Sequence, residues 1–180
     1  SMDLNDHGMP VIRGITASSN YTDRNVSIGT HAGYDIALTD RVSESNFKGY
    51  ESSLNRWYIL QIDLKQANNL PFIFIGTKQQ TKADYASLLM SKHSLDHLML
   101  DTSAKKQASF HSNYVVLSSL ANARKVSELL DDDMVNAIGE HLYPFSVEIE
   151  NDNLVVSTHA KKPSQQKLSK LLHYGLWFAK

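Results

Sequence analysis

His93 and His97 stand four residues apart, the spacing that puts two side chains on one face of a helix. With Asp96 or Asp101 as a further donor, such a pair could hold a divalent metal. The stretch reads His-Ser-Leu-Asp-His, without the Glu that follows the first His where a helical zinc site also needs a general base. It also straddles a predicted helix end. Solvated surface histidines are the commoner outcome for such a pair. Asp131, Asp132 and Asp133 offer hard oxygen ligands for a cation, but no Gly and distal Glu follow at calcium-loop spacing. Carboxylates at that place fit a helix start instead, where they accept free N–H groups and meet the positive end of the dipole.

Other chemistries fail on spacing. Gly76-Thr77-Lys78 has the ending of a phosphate loop, yet position 71 is Pro where the motif needs its first Gly. No G-x-S-x-G string supplies a nucleophile elbow, and the acidic residues are scattered rather than paired for glycoside hydrolysis. The chain has no cysteine, which excludes disulfides, thiolate catalysis and Cys-ligated zinc. A site assembled from distant residues remains compatible with all of this. No cofactor is expected.

The last helix offers a contact surface rather than chemistry. Lys161, Lys162, Lys167 and Lys170 make its beginning basic, and a basic amphipathic helix can rest on an anionic membrane. An ordinary domain helix with a solvated lysine face is the commoner reading. Leu168, Leu171, Leu172, Gly175, Leu176 and Ala179 form the apolar stripe, and Trp177 falls nearly opposite, beside Lys170 and His173. A Trp on the water side is explained by a covering loop or by a partner subunit, the rest of a parent chain, or a membrane interface. Trp177, Lys167 and Lys170 are therefore the candidate contact residues. Burial or a subunit contact is favoured over lipid, since two lysines attract a membrane weakly.

These residues need a scaffold. Arg56–Asp63 is rich in aromatic and β-branched residues, and Leu70–Gly76 is a continuous apolar run suited to a strand buried on both faces. With Gln66–Asn69 as a loop between them, they are expected to pair as the core of one domain, with Pro71 at a strand start. Phe72 and Phe74, or Ile73 and Ile75, are expected to face a helix layer.

Earlier in the chain, Val11–Thr16 is a possible short strand, Ala17–Arg24 reads as loop, and Val26–Thr30 with Tyr34–Thr39 reads as a hairpin turning at Ala32-Gly33. In that hairpin Tyr34, Ile36 and Leu38 share one face. Asp40–Ser53 is polar and reads as a surface loop. Later, helical spacing covers Ala83–Lys92, a short strand Leu98–Leu100, a loop Asp101–Ser109, a strand Asn113–Leu117 and a helix Ala121–Leu130 with Val126, Leu129 and Leu130 on one face. A second short helix opens at Asp131 and stops before Pro144. The alternation of Phe145, Val147 and Ile149 with Ser146, Glu148 and Glu150, a turn at Asn151–Asn153 and a return over Leu154–Thr158 make a hairpin with its apolar side inward. Pro163-Ser164 opens the last helix, with Ser164 as N-cap. This order predicts an α+β fold, a mostly antiparallel sheet with helices packed on it. Residues 1–25 are expected to be a leader with a first short strand, and 26–180 a single domain.

Composition agrees with a globular chain: 180 residues, 42% hydrophobic and 21% charged. The formal net charge of −1 carries no basic excess, so nucleic acid is not an expected partner. No run approaches the ~18 apolar residues of a membrane span, and no signal peptide is visible. Ser1-Met2 reads as a cloning remnant, and Lys180 stands inside an apolar helical pattern, which together suggest a soluble piece of a longer protein that could carry a membrane anchor.

The order of segments resembles a set of uncharacterised proteins from Saccharibacteria-type candidate-phylum bacteria. The resemblance runs through Ile28-Gly29, Gly33–Leu38, Trp57–Leu64 and Leu70–Ile75. It continues in Phe110 before Asn113–Val116, in Leu129-Leu130 before Asp133-Met134, and in Phe145–Glu150 with Asn153–Val156. The polar stretch between Tyr34 and Trp57 departs from that pattern, which usually holds more aromatics there. The resemblance implies a soluble α+β domain, often attached to transmembrane segments, with no assigned activity and no catalytic residues to carry over. The leading expectation is a non-enzymatic binding or scaffold domain of a membrane-associated bacterial protein, at the cytoplasmic face of the membrane. Its partner would be an unknown protein or the rest of a parent chain. The alternative is a hydrolase or metal-dependent enzyme with a dispersed site drawing on His93, His97 or Asp131.

Overall fold

The computed structural model describes residues 21–45, 53–65, 70–78, 95–98, 100, 108–159 and 164–179. The chain divides into two compact units, Ser1–Gln66 with Asp152–Lys180, and Ala67–Asn151. The fold is α+β, with antiparallel strand pairing and helices packed on sheet.

The first unit holds β1 (Tyr21–His31), β2 (Tyr34–Ser45), β3 (Ser53–Asp63) and β8 (Asn153–His159), in the order β1-β2-β3-β8. The β1–β2 hairpin turns at Ala32-Gly33 as expected, with both turn residues at positive φ, 50° and 84°. Both strands extend beyond their sequence signal. Tyr21–Arg24 is strand rather than loop, and so are Asp40–Ser45 and Ser53. Ion pairs replace apolar residues in these extensions. Asp23 on β1 stands opposite Arg41 on β2, and the Arg41 Nε and Nη2 donate to its two carboxylate oxygens at 2.7 and 3.1 Å. Both side chains are buried, at 0% and 5% exposure for Asp23 and Arg41. Asp40 similarly meets Arg56 of β3 at 3.2 Å. The first pair aligns β1 on β2, since losing either partner would strand a charge in the interior, whereas Arg56 is 27% exposed.

In this unit Trp57–Ile62 and Leu154–Thr158 are buried on both faces. On the shared face of Tyr34, Ile36 and Leu38 the cover is partial, and Ala37 of the opposite face is fully buried.

The second unit runs β7-β4-β6-β5, with β4 (Leu70–Thr77), β5 (Asp96–His97), β6 (Tyr114–Ser118) and β7 (Ser146–Asn151). The expected pairing of Arg56–Asp63 with Leu70–Gly76 is not found. β3 pairs with β2 and β8, whereas β4 pairs with β6 and β7. A turn signal tells that a chain can reverse, but two strands buried on both faces take their neighbours from long-range packing. Phe72, Ile73, Phe74 and Ile75 are all buried, as the continuous apolar run requires.

The described helices of this unit are α1 (Ala108–Asn113), α2 (Ala123–Leu129) and α3 (Asp132–Ala137). Ala108 and Ser109 thus belong to a helix and not to the expected loop. Asn113 closes that helix, so β6 starts one residue later than its signal. The expected strand at Leu98–Leu100 lies instead at Asp96–His97, although Leu98 N–H still donates to the Val116 carbonyl at 2.9 Å. A 3-10 turn, Leu120–Asn122, precedes α2. Val126 and Leu130 are buried, but Leu129 is 40% exposed. Leu130 has already left the helix, at φ −101° and ψ 69°, so the helical-wheel face does not apply across it.

Asp131 caps α3, accepting the Met134 N–H at 2.8 Å. The helix continues as a π turn, Ile138–Leu142, and ends before Pro144. Gly139 permits the π turn to lie directly on Phe110.

The strands β7 and β8 are those expected, with Asp152 at the turn. Phe145 and Val147 are inward at 2% and 1%, and Ile149 is half-buried. Ser146 and Glu148 are also buried, so the alternation does not mark a solvent face. The expected elements Val11–Thr16 and Ala83–Lys92 lie outside the described residues.

Candidate functional site

The last helix, α4 (Gln165–Ala179), belongs to the first unit and packs on β3 and β8. Ser164 caps it as expected, its Oγ accepting the Lys167 N–H at 3.3 Å. Both ends of the helix are tied to the sheet. At the start, Ser164 N–H donates to the Tyr58 hydroxyl at 3.0 Å, and at the end the Tyr34 hydroxyl donates to the Ala179 carbonyl at 2.8 Å. The ridge Leu171, Gly175 and Ala179 is buried, while Leu168, Leu172 and Leu176 are half-buried. Gly175 sets the rotation of the helix. A Cβ there would lie 2.5 Å from Leu60 Cδ2 and 3.0 Å from Ile62 Cδ1, so the helix sits directly on β3.

With that rotation set, Lys170, His173 and Trp177 point outward. The spacing of three and four places them in one row. Trp177 is 41% exposed, and its ring meets Phe178 edge-on with centroids 4.8 Å apart. His173 meets Tyr174 in the same manner at 5.6 Å. Lys167 is half-buried at the first turn, away from the outermost row. The structure therefore brings Lys170 and Trp177 onto one surface and sets Lys167 to its side. His173, noted in the sequence only as a neighbour of Trp177, joins them. This surface presents an aromatic ring with an N–H donor, one ammonium group and one imidazole. It has the parts of a contact surface, with no nucleophile and base arranged for chemistry.

The other sequence candidates do not converge. His97 is exposed on β5 and Asp96 is half-buried beside it, while His93, Asp101, Lys161 and Lys162 lie outside the described residues. The carboxylate of Asp131 is engaged as a helix cap. Among the described residues there is no cluster of three His, Asp or Glu side chains able to hold a metal. Thr77 is buried in β4, with its N–H donating to Ser146 Oγ at 3.2 Å, and Lys78 N–H donates to the Asn113 carbonyl at 2.8 Å. The Gly76-Thr77-Lys78 backbone is thus taken up by strand contacts. Among the described residues, no helix is long and apolar enough to cross a membrane.

The buried Asp23–Arg41 pair is the polar feature that sequence reasoning missed. Its members are 18 residues apart on two strands, so no local spacing announces it. Counting outward from the Ala32-Gly33 turn would set Asp23 opposite Val42; the register shift between Arg24 and Ser27 moves it opposite Arg41, and no residue pattern announces that shift.

Neither a protein-family model nor a curated protein sequence matches the chain. Among solved structures, the chain is similar to the crystal structure of the mycobacterial trehalose monomycolate transport factor A, TtfA. The TM-score is 0.63 at 13% sequence identity, over 99% of this chain and 82% of that chain. At this identity the likeness is one of fold.

Proposed function

We propose that this chain is a non-enzymatic binding or scaffold domain of a membrane-associated protein, and that the outer row of α4 contacts its protein partner. One observation carries the reading. Trp177 is 41% exposed on a helix whose opposite ridge is locked onto the sheet, so the ring cannot turn inward without unpacking Gly175. A large aromatic residue held at a surface is the usual anchor of a protein interface. The fold likeness to a transport factor supports a module that works by binding. A protein partner is favoured over lipid because Lys170 alone gives weak attraction to anionic headgroups.

The test compares W177A with the unaltered protein in capture of membrane-fraction proteins and in flotation with anionic vesicles. L120A serves as control, since Leu120 is 66% exposed elsewhere. Because Trp177 is half out of the fold and leans on its own helix neighbour, W177A should cost less than ~1.5 kcal/mol, against ~3–5 for a buried Trp. Specific capture should fall at least tenfold with W177A and persist with L120A. Loss of vesicle binding with capture unchanged would move the surface to lipid. A large loss of stability with binding unchanged would return Trp177 to the core and remove α4 from the function.

A further inference from the structure

The edge strand β1 carries a second, independent surface. Among the described residues it ends the strand order of its unit and pairs with β2 alone. A register shift between Arg24 and Ser27, with Asn25 at φ 52°, divides it in two. Beyond that bulge, Ser27–His31 runs in unbroken register against Leu38–Tyr34. All of Ser27, Ile28, Gly29, Thr30 and His31 are exposed, and Ile28, at 50%, is among the exposed large apolar side chains.

Edge strands are normally protected against pairing by charges, prolines or bulges. Here the bulge protects only the first half. Ser27–His31 contains no Lys, Arg, Asp, Glu or Pro. We propose that this edge is a self-association surface, on which Ser27–His31 of two copies pair antiparallel about a two-fold axis at Gly29. The segment is suited to itself. Centred on Gly29, Ile28 stands opposite Thr30 of the second copy and Thr30 opposite its Ile28, a β-branched pair repeated by the symmetry. Ser27 stands opposite His31, so no like charges meet. Gly29 brings the two backbones together with no side chain at the axis, and nothing lies within 4 Å of a Cβ built there. The bulge on one side and the Ala32-Gly33 turn on the other limit the pairing to this segment. A net charge of −1 leaves little repulsion between copies. A contact of this length falls below the ~1,200 Å² of a stable standard interface, so the dimer is weak and concentration-dependent.

The register makes the test specific. Directly opposed residues of an antiparallel pair have Cα atoms about 4.5–5.5 Å apart, within the range that a disulfide spans. The chain has no cysteine of its own. G29C should therefore form a covalent dimer under mild oxidation roughly tenfold faster or more than T22C, which lies on β1 beyond the bulge. Sedimentation of the unaltered protein should show a dimer that dissociates on dilution. The double variant I28K/T30K should be monomeric, because it opposes lysines at both pairs, and mixing it with I28D/T30D should restore a mixed dimer. Far-UV circular dichroism of each variant checks that the exposed substitutions leave the fold intact. A protein that stays monomeric up to about 1 mM, where a sub-standard interface should be populated, overturns the proposal. So do equal cross-linking at positions 22 and 29, or a dimer that survives the lysine pair.

Discussion

Replacing Gly139 by Ala tests how closely the π turn lies on α1. The added Cβ would stand 2.6 Å from the Phe110 backbone nitrogen, 3.0 Å from its Cα and 3.1 Å from its Cβ. The first two are backbone atoms that no rotamer change can move, so α1 and the π turn must separate. Overpacking of this kind costs about 1–3 kcal/mol. Separation also strains the bond from Ser109 Oγ to the Gly139 carbonyl, 2.9 Å long, at about 0.5–1.5 kcal/mol. Against this, Ala is the better helix former by about 1 kcal/mol. The net expectation is a loss of roughly 1–3 kcal/mol. In urea unfolding followed by circular dichroism, the midpoint should fall with the slope unchanged. G175A is the internal comparison. Its Cβ would meet Leu60 Cδ2 and Ile62 Cδ1, at 2.5 and 3.0 Å, but these are side-chain tips. Their rotation should hold the loss to ~1.5 kcal/mol or less after the same gain in helix propensity. A G139A protein as stable as the original, or a G175A loss larger than that of G139A, would refute the reasoning that backbone contact is the costlier kind.

Three further outcomes are expected. F74A should destabilise by roughly 3–5 kcal/mol, since Phe74 is 1% exposed between Leu117 and Glu148; a urea-derived loss below about 1 kcal/mol would place β4 outside the core. D23A leaves the Arg41 guanidinium buried without its bidentate carboxylate and should cost roughly 3–5 kcal/mol, whereas a paired replacement by apolar residues should recover much of it in the same unfolding assay. D131A removes the cap on the Met134 N–H and should cost about 0.5–2 kcal/mol, with hydrogen exchange at Met134 accelerated by comparison with Val126 in α2.

The local signals in the chain were sufficient wherever one stretch of residues decides the outcome. Asp131 with its following acids marks a helix start because a carboxylate and a free N–H lie three residues apart in any context. Ser164 does the same for α4. Gly33 marks the β1–β2 turn because glycine accepts positive φ without steric cost, here 84°. The apolar run Phe72–Ile75 announces a strand buried on both faces. The helical period of α4 placed Trp177 opposite the buried ridge, and its exposure of 41% follows from that geometry.

Tertiary structure alone decided which strands meet and which polar residues go inside. The short spacing between Arg56–Asp63 and Leu70–Gly76 implied a pair, yet β3 joins β2 and β8 while β4 joins β6 and β7. Strand pairing is chosen by the whole set of available edges, and sequence distance enters only through a slowly growing closure entropy. The polar ends of the first hairpin read as loops because no partner is visible along the chain. Once folded, Asp23 and Arg41 enter the interior as a pair, and the buried Asp40 carboxylate meets a partly exposed Arg56 across strands. Local conformation is set by neighbours three or four residues away and can be read from the chain. A buried charge is tolerated only beside its counter-charge, and that meeting exists only after the chain has folded.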